Sequence, residues 1–188
     1  MASSFPYAAI LFDCDGVLVD SEVVGLREGV AFLNTRGLTL TVEEAVKRFT
    51  GMRTDRLRAA FTAEYTIVLD RPPSDEEIDC LLEGFIACRR AQRHLMTIVP
   101  GAVDTVASAA RLPGVGMAVA SSSGRPQLSA KVSEFGFAPH FGQHVYSGDH
   151  VNEGKPAPDI FLYAAERLGV APEACLIIED SPNGVKAG

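Results

Sequence analysis

No apolar run in this 188-residue chain is long enough to cross a membrane: the uncharged stretch over residues 1–12 has no basic flank and is cut off by Asp13 and Asp15. A signal peptide is therefore not expected. Blocks of Lys or Arg are also missing, and 17 basic against 24 acidic residues leave a net charge of −7. That balance argues against general affinity for nucleic acid or for an anionic membrane. Cys14, Cys80, Cys88 and Cys175 share no metal-type or redox-type spacing, so they read as reduced thiols in a cytoplasm. His140 and His144 have no thiolate or carboxylate set around them in sequence, which speaks against zinc. Internal repeats and low-complexity tracts are lacking. What is present, 47% hydrophobic and 22% charged residues, is globular composition and rules out disorder and coiled coil. Folding at this length hides about 70% of the unfolded chain's surface, enough for one core or a core with a small second module. Small-molecule chemistry is the class left standing.

Four short apolar runs, residues 8–12, 116–120, 143–146 (the weakest) and 175–178, are bounded by turn residues and read as strands. Helical stretches over 126–135 and 157–168, closed by Gly136 and Gly169, separate the last three. Strand–helix alternation implies a parallel α/β sheet. Residues 21–97 carry no convincing strand and interrupt that alternation as an inserted helical module. Thr41 with Glu44, and Ser74 with Glu77, have the capping-box form that starts a helix. Gly37, Gly51 and the Pro72-Pro73 pair then divide the insert into helices over 22–36, 42–50, 54–65 and 75–94. Pro100-Gly101 returns the chain to the main fold. The domain reading is a discontinuous α/β core, residues 1–20 and 98–188, with residues 21–97 inserted.

Ligands of open parallel sheets bind outside the carboxyl ends of the strands. Asp13 and Asp15 follow the first strand, Ser121-Ser122-Ser123 the second, Lys155 lies in the loop after the third, and Glu179-Asp180 follows the fourth. Four acids alone would repel, since like charges about 4 Å apart cost about 4 kcal/mol at an effective dielectric near 20. A cation is needed. Without thiolates or paired histidines the oxygen donors favour a hard ion, and Mg²⁺ fits best. Mg²⁺ with Lys155 and the serine hydroxyls can then receive an anion, an arrangement suited to phosphoryl transfer. Taken singly, an Asp-x-Asp is a solvated turn and a Gly-Lys-Pro an ordinary loop. It is their joint placement at strand ends that defines a site. Asp20 and Glu22 begin a helix, where acids are favoured by the backbone dipole, and stay outside the catalytic set.

Leu11-Phe-Asp13-Cys-Asp15-Gly-Val-Leu-Val-Asp20-Ser-Glu22, the serines from Ser121, Gly154-Lys155-Pro-Ala-Pro-Asp159 and Ile178-Glu179-Asp180-Ser-Pro-Asn-Gly184 resemble, in order, the four motifs of haloacid dehalogenase-like hydrolases. Within that superfamily the chain is similar to the capped branch of β-phosphoglucomutase-like enzymes and sugar-phosphate phosphatases. The resemblance implies a doubly wound, Rossmann-like parallel core with an inserted helical cap. It implies Asp13 as the nucleophile that becomes an aspartyl-phosphate, and Asp15 as the group that protonates the leaving oxygen and then activates water. Mg²⁺ would be held by the Asp13 carboxylate, the Asp15 main-chain carbonyl and Asp180, with Glu179 a further ligand. Ser121, Ser122 and Lys155 would grip phosphate oxygens. Cys14 reads as a buried neutral filler. Arg53, between two insert helices, is the candidate for the distal end of the substrate; the alternative is that it bonds carboxylates on a helix surface. Arg89, Arg90 and Arg93 read as a solvated face.

The function implied is a Mg²⁺-dependent phosphatase acting on a small phosphorylated metabolite, a sugar phosphate or sugar-acid phosphate. A phosphomutase is the nearest rival, because the same aspartates serve if the phosphoryl group passes to a second sugar hydroxyl. A dehalogenase does not need Asp15 or Asp180, and a non-enzymatic phospho-receiver would place its acceptor after a middle strand without a long insert. The expected partner is the metabolite alone, without nucleic acid or membrane, and the chain is expected to be a monomer or weak homo-oligomer. The resemblance also implies core structure beyond Gly188, where the sequence stops within an expected helix.

Overall fold

A computed structural model describes residues 5–21 and 23–188. The chain divides into two compact units, one built from the residues up to Asp20 together with Thr97–Gly188, the other from Ser21–Met96.

The strands of the first unit are β1 (Ala9–Phe12), β2 (Val19–Asp20), β3 (Thr97–Ile98), β4 (Gly116–Ser121), β5 (Val145–Ser147) and β6 (Cys175–Ile178), of which β1, β4, β5 and β6 come from the apolar runs. Four of them make a parallel sheet in the order β5-β4-β1-β6. All four residues of β1 are buried, as a strand covered on both faces requires. Its register sets Leu11 beside Ala118 and Ile177, and Phe12 beside Val119 and Ile178. Side chains alternate between the faces. Leu11, Ala118 and Ala120 pack against Ile160, Phe161 and Ala164 of the helix Asp159–Leu168. Phe12, pointing the other way, meets the Phe141 ring edge-on at 5.5 Å. This is the doubly wound α/β architecture, with every strand of the sheet delivering its carboxyl end to one edge.

Three features depart from the sequence reading. The weakest strand, expected over 143–146, is Val145–Ser147, starting two residues later and ending one later, because its pairing with Val119–Ser121 is what fixes it. β2 and β3 form a two-residue antiparallel ribbon that local patterning could not reveal, and Thr97 thereby belongs to the first unit and not to the insert. A helix over Ala102–Ala109 starts at Gly101 with no side-chain cap, so it carried no local start signal.

The second unit is helical: Leu26–Thr35, Val42–Phe49, Thr54–Leu69 and Asp75–Ala91. Both expected capping boxes are formed, Thr41 with Glu44 and Ser74 with Glu77. Its own core gathers Leu26, Val30, Leu33, Phe49, Phe61 and Phe85. Phe61 stands edge-on to Phe49 and to Phe85, each at 5.3 Å. The third helix runs past the expected end at Tyr65 to Leu69, stopping where Asp70 turns left-handed at φ 53°. The fourth ends at Ala91 and gives way to a 3₁₀ turn, Arg93–Leu95. The expected helix start at Glu22 falls outside the described residues; the first described helical residue is Leu26.

Candidate active site

β1 ends at Phe12, but its ladder continues one residue further, the Asp13 amide donating to the Ile178 carbonyl at 2.9 Å. The chain then turns tightly. The amides of Leu18 and Val19 donate to the Cys14 carbonyl at 3.0 and 2.9 Å, and that of Gly16 to the Val19 carbonyl at 2.8 Å. Gly16 is required twice over: its φ is +82°, and a Cβ there would overlap the Asp180 carboxylate. The turn thus aims Asp13 and Asp15 while leaving room for Asp180.

Asp13, Lys155 and Glu179 form one buried assembly. Lys155, 2% exposed, donates from Nζ to Asp13 Oδ1 at 2.8 Å, to Glu179 Oε2 at 2.5 Å and to the Ala120 carbonyl at 3.2 Å. Its ammonium also lies 4.8 Å from the centre of the Phe161 ring. Burial pulls the Lys155 ammonium down, but the charges and hydrogen bonds of Asp13 and Glu179 outweigh it and hold the group above its ordinary value. Burial pushes the Asp13 carboxyl up to about 7 against the pull of Lys155, with Glu179 and Asp15 adding to the rise. The other Glu179 oxygen, Oε1, accepts from the amides of Asp180 and Ser181 and from Ser181 Oγ, at 3.2, 3.0 and 2.8 Å. Gly184 leaves space for that carboxylate, which a Cβ would overlap.

Asp15 belongs to a second, adjoining network. Ser123 Oγ donates to Asp15 Oδ2 at 2.8 Å and Ser121 Oγ to the same oxygen at 3.4 Å. Lys131 Nζ bonds Asp15 Oδ1, and donates to Ser123 Oγ at 2.9 Å. Lys131 was not among the expected site residues. It sits in the helix Arg125–Glu134 beside Leu128 and Val132, and all three are buried. A lysine in a helix reads from sequence as a solvated charge; its three-residue spacing from Leu128 was the available sign that it shares the inward face.

Among the described residues, Asp13, Glu179 and Asp180 each offer a carboxylate oxygen, all within 4.8 Å of one another. The donors are hard oxygens, which suits a divalent cation such as Mg²⁺. Burial, then the neighbouring Glu179, also raises the Asp180 carboxyl. Two acids held above their ordinary range by burial and by the neighbouring Glu179 are the condition that a bound cation relieves. The residues therefore fit such an ion. Asp15 contributes no carboxylate to this group; its expected part is the main-chain carbonyl.

The remaining expected residues are placed as follows. Ser122 Oγ is buried without a hydrogen-bond partner among the described residues. Cys14 is fully buried, and burial followed by the Asp15 charge pushes its thiol well up, which makes it an inert neutral group. Arg53 lies in the helical unit, its guanidinium forked onto Asp55 at 2.7 and 2.6 Å and holding that carboxyl at about 2. His144 Nδ1 is 2.7 Å from the Tyr146 hydroxyl.

The parallel sheet brings Asp13, Asp15, Glu179 and Asp180 to the carboxyl ends of its strands, where Lys131 and Lys155 reach them, an arrangement suited to carboxylate-based hydrolytic chemistry. Comparison with known proteins agrees. The family model of haloacid dehalogenase-like hydrolases matches residues 7–188. The chain is 28% identical over 180 residues to the 6-phosphogluconate phosphatase of Escherichia coli K12, covering 96% of this chain and 77% of that protein. It is 31% identical over 183 residues to the fructose-1-phosphate phosphatase YqaB of the same bacterium, covering 96% of this chain and 90% of that one. A solved structure of a HAD family hydrolase from Deinococcus radiodurans R1, with bound phosphate and sodium, superposes with a TM-score of 0.68 at 36% identity, over 97% of this chain and 76% of that chain. This chain belongs to the haloacid dehalogenase-like hydrolases. No helix among the described residues is long and apolar enough to cross a membrane.

Proposed function

We propose that the chain is a Mg²⁺-dependent phosphatase for a small sugar phosphate or sugar-acid phosphate, working through an aspartyl-phosphate on Asp13. The observation that carries this reading is the buried Asp13–Lys155–Glu179 assembly with Asp180 alongside, set next to a second carboxylate, Asp15, that is tied to different donors. The two phosphatases named above support the substrate class.

Asp13, Glu179 and Asp180 would hold the ion, with the Asp15 carbonyl. When bound, it offsets the charge of carboxylates and phosphate and so lets the two anions meet. An Asp13 oxygen attacks phosphorus while the ester P–O bond breaks, and the departing oxygen takes a proton from Asp15. Lys155 stabilises the negative charge around phosphorus, and Ser121 and Ser122 supply hydroxyls to the phosphoryl oxygens. In the second half Asp15 removes a proton from water, whose oxygen displaces Asp13 from phosphorus and frees inorganic phosphate.

The test is a screen of phosphorylated metabolites in Mg²⁺, with 6-phosphogluconate and fructose 1-phosphate included, and with Asp13→Asn as control. Phosphate release that vanishes with EDTA and in Asp13→Asn is expected. Release indifferent to either would defeat the mechanism, and conversion of a sugar phosphate to its isomer without free phosphate would make the enzyme a mutase.

A further inference from the structure

Lys131 is 6% exposed, and a charge so deeply buried needs partners that hold it. Its bonds go to the site: one to Asp15 Oδ1, and one, at 2.9 Å, to Ser123 Oγ. Ser123 Oγ in turn donates to Asp15 Oδ2 at 2.8 Å, so lysine, carboxylate and hydroxyl close a ring that engages both oxygens of Asp15. The ring is itself anchored. The Ser123 amide donates to Ser121 Oγ at 3.1 Å, and Ser147 Oγ, at the end of β5, donates to the Ser123 carbonyl at 2.8 Å. Lys155 meanwhile is spent on Asp13 and Glu179. The two aspartates, two positions apart in the chain, are therefore served by different buried lysines from different elements.

We propose that Lys131, acting with Ser123, is the positioning residue of the acid–base carboxylate. It fixes the Asp15 side chain so that a proton reaches the leaving oxygen, and it takes no part in the capture of phosphorus by Asp13. The inference rests on the roles given to Asp13 and Asp15 above. It separates two steps that a general loss of structure would damage together.

The experiment compares two esters in Mg²⁺: benzyl phosphate, whose leaving alkoxide must be protonated, and 4-nitrophenyl phosphate, whose phenolate leaves unaided. In Lys131→Met, kcat/KM for the benzyl ester should fall about 30-fold while that for the nitrophenyl ester falls less than about threefold, since only the first depends on general-acid help. Ser123→Ala, a smaller change that keeps the fold, should show the same selectivity with a smaller loss. Crystals of Lys131→Met should show the Asp15 carboxylate moved away from Ser123. Equal losses on both esters, no loss on either, or an Asp15 side chain that stays in place would each overturn the inference. The Asp13→Asn control distinguishes the two readings: if that variant remains active the nucleophile assignment fails, while the ester ratio still judges Lys131. Should the wild-type chain cleave neither ester, the crystal comparison decides.

Discussion

Lys155 binds two carboxylates that would otherwise face each other in a dry interior. Replacing it by Met removes the positive charge that Asp13 and Glu179 share and leaves both buried without that compensation. Breaking a buried pair in this way costs about 3–5 kcal/mol, so Lys155→Met should unfold at distinctly lower urea concentration than the parent. Added Mg²⁺ should recover part of the loss; an unchanged midpoint would refute the account. Gly184 makes a more selective test at the same scale. A methyl group there collides with the Glu179 carboxylate, so Gly184→Ala should raise the Mg²⁺ dissociation constant by about tenfold, equivalent to about 1.4 kcal/mol, with the far-ultraviolet spectrum preserved. Isothermal titration measures it, and an unaltered affinity would show that Glu179 is not a ligand. The placement of Asp13, Asp15 and Asp180 was legible because each stands close behind an apolar run, where sequence adjacency to a strand end is also spatial adjacency; Lys155 lies further on, in the loop after β5, and was read from its Gly-Lys-Pro motif. Lys131 was not, because its role depends on which face of a helix is buried, and its helix carries polar residues on several sides.

Elements whose signals are local were the easiest to read. Both capping boxes of the insert were visible as hydroxyl and Glu three residues apart, since the bonds that make them span a single turn. The ribbon of β2 and β3 was invisible, because Val19 and Asp20 find their partners in Thr97 and Ile98 only after the whole insert has folded back. The second box also carries a pH signature. Arg71, then the Ser74 amide, holds the Glu77 carboxyl at about 2 against an ordinary 4.5. The ionised form is thus favoured in the folded state, so its stabilisation is complete above pH 4.5 and is lost as pH falls toward 2. Wild type should melt above Glu77→Gln at neutral pH, and the gap should close on acidification; a constant gap would exclude the ionised bond as its source. Packing inside the same unit is tested by Phe61→Ala, which empties a fully buried position between two rings. It should cost about 3–5 kcal/mol in chemical denaturation.

At the scale of the molecule, the candidate cation site draws on two segments far apart in the chain, the turn after β1 and the turn after β6. A ligand that binds only the assembled arrangement raises the unfolding temperature by mass action. Mg²⁺ at a hundredfold excess over its dissociation constant adds about 2.7 kcal/mol, which in a chain of this size is a shift of about 5–10 °C. Calorimetry should find that shift in wild type and lose it in Asp180→Asn. An equal shift in both would place the ion elsewhere.

β1 is the strand between β4 and β6, and the carboxylate that opens the site hangs from its end. Yet it is made first. On the ribosome the segment Ala9–Phe12 emerges long before Gly116–Ser121 and Cys175–Ile178, the two stretches that hydrogen-bond it, while the helical insert in between already holds a complete apolar core of its own. The nascent chain therefore carries an oily strand whose hydrogen-bonding neighbours are synthesised only later, an interval in which it is open to chaperones and to other nascent copies.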